Sequence, residues 1–293
     1  MMNSDVVNFF LEHLSVERRC SPHTITSYAT DLNQFSLFLK EQHDSLPLTQ
    51  VSSSQIRLWM VHLSENSIEN RSINRKLASL RTFYKFLLQK DRIQENPLLP
   101  IRTVKTRKKL PQFLRESEMA EIPRMDETNQ DFATIRDHLI LYLLYGTGMR
   151  LAELISLQKS HINQAQGTLR VLGKRNKERI IPIPSFLLQL IQQYLTLCPF
   201  DSPYLIVDNK GKPVYPMMVQ RLVKKQLGEI STLEKLSPHV LRHTYATHLL
   251  NNGADLNAIK ELLGHANLAA TQVYTHNSME KIKEIYAQAH PKA

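Results

Sequence analysis

The sequence predicts a mainly α-helical chain of two domains, of which the second also carries a small antiparallel β-sheet. Apolar residues recur at three- and four-residue steps through the first hundred positions, which is the period of an amphipathic helix. The stretch 102–111, RTVKTRKKLP, loses this period and is half basic, so it is the best candidate for a linker. Beyond it, the β-type runs 169–172 and 179–183 flank the loop sequence GKRNK and predict a hairpin. We therefore place the two domains at 1–105 and 106–293.

Four helices are predicted in the first domain. The second helix begins at Ser21, a favoured capping residue, with Pro22 at its first helical position. The third helix begins at Ser52–Ser54, and the fourth runs from about Ser67 to Gln89. On the fourth helix, three basic residues fall on the side opposite the apolar stripe: Arg71, Arg75 and Lys85. Such a face could lie against phosphates, and an ordinary solvated polar face explains the same pattern equally well.

The second domain is predicted to be mainly helical around its hairpin. Short helices are expected at Glu116–Ile122 and Phe132–Leu144, and the apolar run Leu139–Leu144 indicates that the latter is buried. Gly146 and Gly148 predict a turn after it. The remaining predicted helices are Ser185–Leu197, Met217–Leu227, one that opens at Ser237-Pro238 and is capped by Asn252-Gly253, and one from the cap Asp255 through Leu263.

Composition and charge narrow the function classes. The 293-residue chain carries a net charge of +10 at a pI of about 9.5. This balance favours a polyanionic partner, nucleic acid first and an anionic membrane surface second, and a solvated basic surface is the plain alternative. No apolar run reaches membrane-spanning length, so we expect no membrane partner. The N-terminus lacks a secretory signal pattern and Cys20 and Cys198 form no CxxC motif, so we expect a reducing, cytoplasmic compartment.

The stretch Pro238–Tyr274 concentrates the chemistry of the chain. His239 and Arg242 are three residues apart at a helix start and share a face, and His265 and Tyr274 follow the next helix. The histidines are open to three interpretations: a structural role, a metal site and a phosphate-binding pocket. A zinc site at His239 and His243 is disfavoured, because Arg242 lies between them and no close carboxylate supplies a third ligand. Arginine favours the phosphate pocket, because its guanidinium binds oxyanions through two donors.

A phosphodiester pocket needs further cations. Arg150 follows a glycine-rich turn at a predicted helix start, and Lys174 lies in the hairpin loop. Glu153, one helical turn after Arg150, could orient a cation in the pocket. Taken singly, each of these signals is weak.

Five motifs occur in order along the chain: TGMRLAEL, GKRNKERIIPIP, HVLRHTYATHLL, LLGHA and VYTH. In this order and spacing the chain resembles the tyrosine recombinase (phage integrase) family, and more narrowly its Xer-type site-specific recombinases, over nearly its whole length. The resemblance implies an N-terminal SAM-like helical bundle plus a mainly helical tyrosine-recombinase catalytic domain with a small antiparallel β-sheet. One departure is the loop GKRNK, where Xer proteins usually have GKGNK, and it concerns the conformation around Arg175.

The resemblance also implies a role for each motif residue. Arg150 and Arg242 would clamp the scissile phosphate, and His239 and His265 would donate hydrogen bonds or assist proton transfer. Lys174 would protonate the leaving 5′ oxygen, and Tyr274 would attack phosphorus to form a 3′-phosphotyrosyl link, with Glu153 in support. Neither a metal nor another cofactor is needed for this chemistry. The residues expected to contact DNA are Arg71, Arg75, Lys85, Lys105, Arg107, Lys108 and Arg175.

The family further implies partners and a task. These are double-stranded DNA, a homo- or hetero-tetramer with a related recombinase, and regulation by a DNA translocase, all at the nucleoid. The expected task is chromosome dimer resolution at a dif-like site. A mobile-element integrase with the same chemistry, a DNA-relaxing enzyme and a non-catalytic architectural protein are the alternatives. The segment Ser278–Ala293 is expected to pack on a neighbouring subunit, or else on its own domain.

Overall fold

The structure, a computed structural model, describes residues 3–106, 112–122, 131–173, 178–264 and residue 289. The chain divides into two compact units, Met1–Lys109 and Leu110–Ala293. The predicted boundary, between residues 105 and 106, falls within four residues of this division. Among the described helices, none combines the length and the apolarity that crossing a membrane requires.

Within its described residues, the first unit is the predicted bundle of four helices. They are α1 (Asn3–Val16), α2 (Pro22–Gln42), α3 (Ser53–Glu65) and α4 (Asn70–Gln89), with a 3₁₀ turn at Leu48–Gln50. The Ser21 hydroxyl caps α2 by accepting a hydrogen bond from the Thr24 N–H at 3.3 Å, as its sequence predicts. Helix α4 begins later than predicted, because Ser67 adopts a left-handed conformation with φ of 57° that cannot continue a right-handed helix.

Large aromatic side chains fill the core of the first unit. Phe10, Phe35, Trp59 and Tyr84 are fully buried, and the Tyr84 hydroxyl donates to the Leu48 carbonyl at 2.9 Å. That bond satisfies the polar end of a buried phenol, whose pKa is raised by its burial. The 3₁₀ turn is thereby tied to α4.

The first half of the predicted linker is an ordered segment on α4. The Asn74 side chain bonds both the N–H and the carbonyl of Val104, each at 2.8 Å. Asn70 donates to the Lys105 carbonyl at 2.9 Å, and Arg81 donates to the Ile101 carbonyl at 2.9 Å. The segment up to residue 106 is therefore held by side chains of α4. Residues 107–111 of the linker lie outside the described part of the chain.

The second unit is mainly helical and contains the predicted hairpin. Its described α-helices and strands are α5 (Glu116–Ala120), α6 (Phe132–Thr147), α7 (Leu151–Ile155), β1 (Ile162–Asn163), β2 (Thr168–Leu172), β3 (Glu178–Pro182), α8 (Ser185–Leu197), α9 (Pro216–Ile230), α10 (Pro238–Asn251) and α11 (Leu256–Leu263), and a 3₁₀ turn lies at Lys159–His161. The three strands form one antiparallel sheet in the order β1-β2-β3, and Leu169 of β2 lies opposite Ile181 of β3. The sequence missed β1, which is only two residues long.

Helix α6 is the central element of the second core. Every residue of Leu139–Leu144 is buried, which confirms the expectation from its apolar pattern. The prediction that Gly146 belongs to a turn is wrong, because α6 continues through Thr147. Gly148 ends the helix in the left-handed conformation, with φ of 59°, as expected for a glycine cap.

Candidate active site

Arg150 is held by Glu153 at the start of α7. The backbone N–H of Arg150 donates to Glu153 Oε2 at 2.7 Å, and its Nη1 donates to Glu153 Oε1 at 2.8 Å. Its Nη2 donates to the Gly264 carbonyl at 3.3 Å. One carboxylate thus caps the helix start and fixes the guanidinium. The Arg150 side chain is still 40% exposed, so it remains open to a ligand.

Glu153 also receives a second arginine, Arg179 of β3. Arg179 Nη1 and Nη2 donate to Oε1 and Oε2 of Glu153 at 2.9 and 2.8 Å, and both residues are buried. Burial raises the pKa of the Glu153 carboxyl, but hydrogen bonds and charge from Arg179, then hydrogen bonds from Arg150, outweigh it and leave that pKa below its usual value. Glu153 is therefore ionised at neutral pH.

Arg242 projects from the first turns of α10 into the same cluster. Its Nη2 donates to the Leu263 carbonyl at 2.7 Å, and its Nη1 donates to the Gly148 carbonyl. Burial, followed by the nearby charges of Arg150 and Arg179, lowers the pKa of Arg242 to about 10, so its guanidinium is charged at neutral pH. Arg242 therefore joins α10 to the ends of both α6 and α11.

The three arginines converge on the C-terminal end of α11. Arg179, Arg242 and Arg150 bind the carbonyls of Leu262, Leu263 and Gly264 in turn, the first of these at 2.8 Å through Nε of Arg179. A helix end leaves such carbonyls without partners and carries partial negative charge, so it is a suitable anchor for guanidinium groups. Three cations face one carboxylate here, and the excess positive charge suits the binding of an anion.

His239 lies on the same helix start as Arg242 and is exposed. His243, one turn further along, is half-buried, and its pKa is lowered, first by burial and then by the charge of His239. Within the described ranges, no three His, Cys, Asp or Glu side chains lie close enough together to bind a metal ion.

His248 anchors α10 from its far side. Its Nε2 donates to the Leu114 carbonyl at 2.8 Å, so its Nδ1 accepts from the Tyr145 hydroxyl at 2.9 Å. Thr244, one turn earlier, accepts the Leu114 N–H at 3.0 Å. Burial lowers the pKa of His248 and favours this neutral form. These contacts are structural, because they attach α10 to the segment around Leu114 and to α6.

The structure thus brings together Arg150, Glu153 and Arg242, with His239 on the same helix turn as Arg242. Six further candidates lie outside the described residues: Lys174, Arg175, His265, Tyr274, Arg107 and Lys108. The same holds for most of the segment Ser278–Ala293. From that segment Ala289 is described; it is buried, and its carbonyl accepts a hydrogen bond from Asn252 of its own unit at 2.9 Å.

Sequence reasoning missed Arg179. A usable signal was present, because side chains alternate across a strand and ERIIP places Arg179 on the same face as the core residue Ile181. A buried arginine needs buried hydrogen-bond acceptors, and a carboxylate is the strongest of these. Glu153, which was already a candidate for orienting a cation, is that partner.

The predicted DNA-facing residues of the first unit differ in their surroundings. Arg71, Lys85 and Lys105 are exposed. Arg75 is half-exposed, but its guanidinium donates to both carboxylate oxygens of Asp31, at 2.5 and 2.8 Å.

Asp31 is the centre of a polar cluster that the sequence did not reveal. The Asp31 carboxylate is fully buried and also accepts from Lys76 Nζ at 3.2 Å and Ser79 Oγ at 2.7 Å. Two cations share this carboxylate, so the cluster keeps an excess positive charge on the α2–α4 side of the bundle.

A second basic face, on α9, was also missed. Val219, Leu222, Val223 and Leu227 are buried, whereas Arg221, Lys224 and Lys225 are exposed. The apolar period of α9 would have indicated this face.

Models of two domain families match the chain. The phage integrase family matches residues 112–281, and the N-terminal SAM-like domain of phage integrases matches residues 7–91. The chain belongs to the phage integrase family, the class of the tyrosine recombinases, which confirms the predicted family and fold.

Curated relatives narrow the class to the Xer type. Tyrosine recombinase XerC of Chlorobaculum parvum is 39% identical over 314 residues, which cover 97% of this chain and 94% of the relative. XerC of Listeria innocua is 36% identical over 97% of both chains, and XerC of Staphylococcus aureus is 38% identical over 97% of this chain and 96% of its own.

Solved structures share the fold at lower identity. Lambda integrase residues 75–356, a dimer bound to a COC′ core site, superposes with a TM-score of 0.71 at 17% identity, covering 91% of this chain and 96% of the other. XerH bound to a palindromic difH substrate gives a TM-score of 0.71 at 22% identity, covering 91% and 80%. The Tn1549 transposon integrase with circular intermediate DNA gives 0.70 at 21% identity, covering 96% and 98%.

Proposed function

We propose that this protein recombines DNA at specific sites by cutting and rejoining strands through a 3′-phosphotyrosyl intermediate. The observation that supports it best is the convergence of Arg150 and Arg242, from separate elements, on the end of α11 beside the buried carboxylate of Glu153. Both are arginines of the motifs that the family requires. Guanidinium pairs bind phosphate oxygens and stabilise the charge that develops during phosphoryl transfer.

The proposed reaction needs no net oxidation or reduction. The Tyr274 phenol oxygen bonds to phosphorus, the bond from phosphorus to the 5′ oxygen breaks, and Lys174 gives that oxygen its proton. His239 or His265 accepts the phenol proton through its imidazole, and both histidines can donate hydrogen bonds to the phosphate. A phenol with a reference pKa near 10 is a weak nucleophile at neutral pH, so the surrounding cations also act by favouring the phenolate. Religation is the reverse reaction and conserves the bond energy.

Double-stranded DNA is the proposed substrate. The net charge of +10 supports this, as do the exposed basic residues of α4 and the second basic face on α9. The likeness to the XerC relatives supports the further proposal that the protein acts in the cytoplasm, at the nucleoid. There it would act as a tetramer, alone or with a related recombinase and under a DNA translocase, to resolve chromosome dimers at a dif-like site.

Covalent trapping on DNA tests the proposed chemistry. The cognate duplex is first selected from a randomised pool by binding, then nicked near the cleavage point so that the attacked strand cannot be rejoined. With chelator present, we expect wild-type protein to form a covalent adduct and Tyr274→Phe to form none. Tyr215→Phe is the matched control, because Tyr215 is a half-exposed tyrosine of the same unit. Cleavage that survives Tyr274→Phe and stops with chelator would contradict the proposal.

A further inference from the structure

Arg179 uses its guanidinium entirely within the protein. Nε donates to the Leu262 carbonyl at 2.8 Å, and the two terminal nitrogens bind both oxygens of Glu153 at 2.9 and 2.8 Å. The residue is only 5% exposed. Arg179 is therefore too enclosed to touch a DNA phosphate, unlike Arg150.

The two partners of Arg179 belong to the two segments that hold the phosphate-clamp arginines. Glu153 binds the backbone and the guanidinium of Arg150. Leu262 directly precedes Leu263, whose carbonyl binds Arg242 at 2.7 Å. One guanidinium on β3 thus joins α7 to the end of α11.

Gly264 gives independent evidence that this arrangement is closely packed. It has φ of 64°, and a Cβ at this position would lie 3.1 Å from Cδ and 3.3 Å from Nη1 of Arg179. The Arg179 side chain therefore occupies the space beside Gly264, whose own carbonyl binds Arg150. By contrast, the left-handed Gly253 has no atom within 4 Å of such a Cβ.

We propose that Arg179 is a positioning residue for the phosphate clamp: it fixes Glu153 and the end of α11, and through them Arg150 and Arg242, without touching DNA. This inference rests on the proposed function, in which those two arginines bind the scissile phosphate. Strand β3 would then serve the site in two ways. It carries Arg179, and it directly follows the loop that contains Lys174 in the sequence.

Lysine cannot replace Arg179 in this position. An ammonium group is a point charge without the planar fork that reaches two carboxylate oxygens while Nε binds a third acceptor. With Arg179→Lys, Glu153 keeps its burial, which raises its pKa, but loses the two hydrogen bonds that lower it most. The charged groups that then face Glu153 are the new lysine from β3, Arg150 from α7 and Arg242 from α10, and α11 presents backbone carbonyls. In Arg179→Lys, Glu153 would therefore become protonated at a higher pH than in the wild type. The protonated carboxyl would no longer hold the guanidinium of Arg150.

The test measures single-turnover adduct formation on the nicked duplex from pH 5.5 to 8.5, with DNA affinity measured separately. We expect Arg179→Lys to cleave about 10- to 100-fold more slowly at saturating protein, while its dissociation constant for DNA changes little. The acid limb of its rate profile should move to higher pH, and adding Glu153→Gln should remove that limb. A loss of packing alone would not move the limb.

The matched control is Arg170→Lys on the neighbouring strand β2. Arg170 also pairs with a glutamate, Glu178 at 3.5 Å, but both side chains are about half exposed. A surface ion pair of this kind contributes little to stability. The cleavage rate and its pH profile should therefore stay at the wild-type values.

Gly264→Ala replaces the lysine variant if thermal unfolding shows that Arg179→Lys does not fold. Its added methyl group pushes Arg179 aside without changing any charge, so the acid limb should move as before, whereas Gly253→Ala should leave it in place.

A wild-type rate and profile in a folded Arg179→Lys, or failing that in Gly264→Ala, would overturn the inference. If wild-type protein forms no adduct, the proposed function itself fails.

Discussion

Gly148 and Arg242 show at the scale of single residues how the candidate site depends on backbone conformation. The Gly148 carbonyl accepts a hydrogen bond from Arg242, and Gly148 itself ends α6 with a left-handed φ of 59°. A Cβ on Gly148 would lie 2.4 Å from Cδ1 of the buried Tyr245. Position 148 therefore requires glycine for two reasons. The backbone is left-handed, and the Tyr245 ring leaves no space for a Cβ.

A comparison of two glycine substitutions separates these needs. Gly253→Ala adds a methyl group in open space and should cost about 1 kcal/mol of unfolding free energy, from left-handed strain alone. Gly148→Ala should cost about 1–3 kcal/mol more, because Tyr245 must move within a packed core. Urea unfolding of both variants checks this. Equal losses of unfolding free energy in the two variants would show that contact between the added methyl group and Tyr245 does not destabilise the protein.

At the scale of elements, α4 combines a buried and a basic side. Asp31 of α2 binds Arg75, Lys76 and Ser79, which hold α2 to α4 through a carboxylate that has no exposure. Asn70 and Asn74 of α4 hold the linker. Arg75 is therefore committed to an intramolecular bond, whereas Arg71 on the same side is exposed and stays a prediction for DNA contact.

Salt dependence of DNA binding tests Arg71. If its guanidinium neutralises one phosphate, Arg71→Ala should lower the slope of log affinity against log salt by about 0.9 and weaken all duplexes alike. Arg57→Ala, which removes the same charge from an exposed site on α3, is the control and should leave the slope unchanged. Identical slopes for the two variants would remove Arg71 from the interface.

At the scale of the whole molecule, histidines that are buried or partly buried predict a loss of stability in acid. His138, His161, His243 and His248 have lowered pKa values, with burial as the largest cause in each. Below their ordinary pKa of 6.5, the unfolded chain binds more protons at these sites than the folded chain does. Folding stability is therefore lost as pH falls through that value. Glu153, whose pKa is also lowered, adds to the loss below its ordinary pKa of 4.5.

Unfolding in urea at pH 8, 6.5 and 5 checks this sign. We expect the unfolding free energy of the second unit to fall steadily toward pH 5. His248→Gln should reduce the pH dependence, because it removes a buried histidine that is held neutral by the Leu114 carbonyl and the Tyr145 hydroxyl. Stability that stays constant or rises toward pH 5 would contradict the lowered pKa values of these four histidines.

The sequence by itself predicted most of the helices, the hairpin and the family, and it selected Arg150, Glu153 and Arg242, which the structure brings together. Helix periods, the cap at Ser21 and the chain break at Gly148 are local properties, set by residues a few positions apart. The ordered motifs around Arg150 and Arg242 identify the class without any coordinates.

Only the tertiary structure decided which acceptor each buried or partly buried arginine binds. Arg179 meets Glu153 across 26 positions, Arg75 meets Asp31 across 44, and Arg242 meets the Gly148 carbonyl across 94. No local period encodes such pairs, because they form where separate elements pack, and burial then makes each unpaired charge too costly to keep. For this reason Arg150 was found from the sequence, whereas the buried arginine proposed to position it was not.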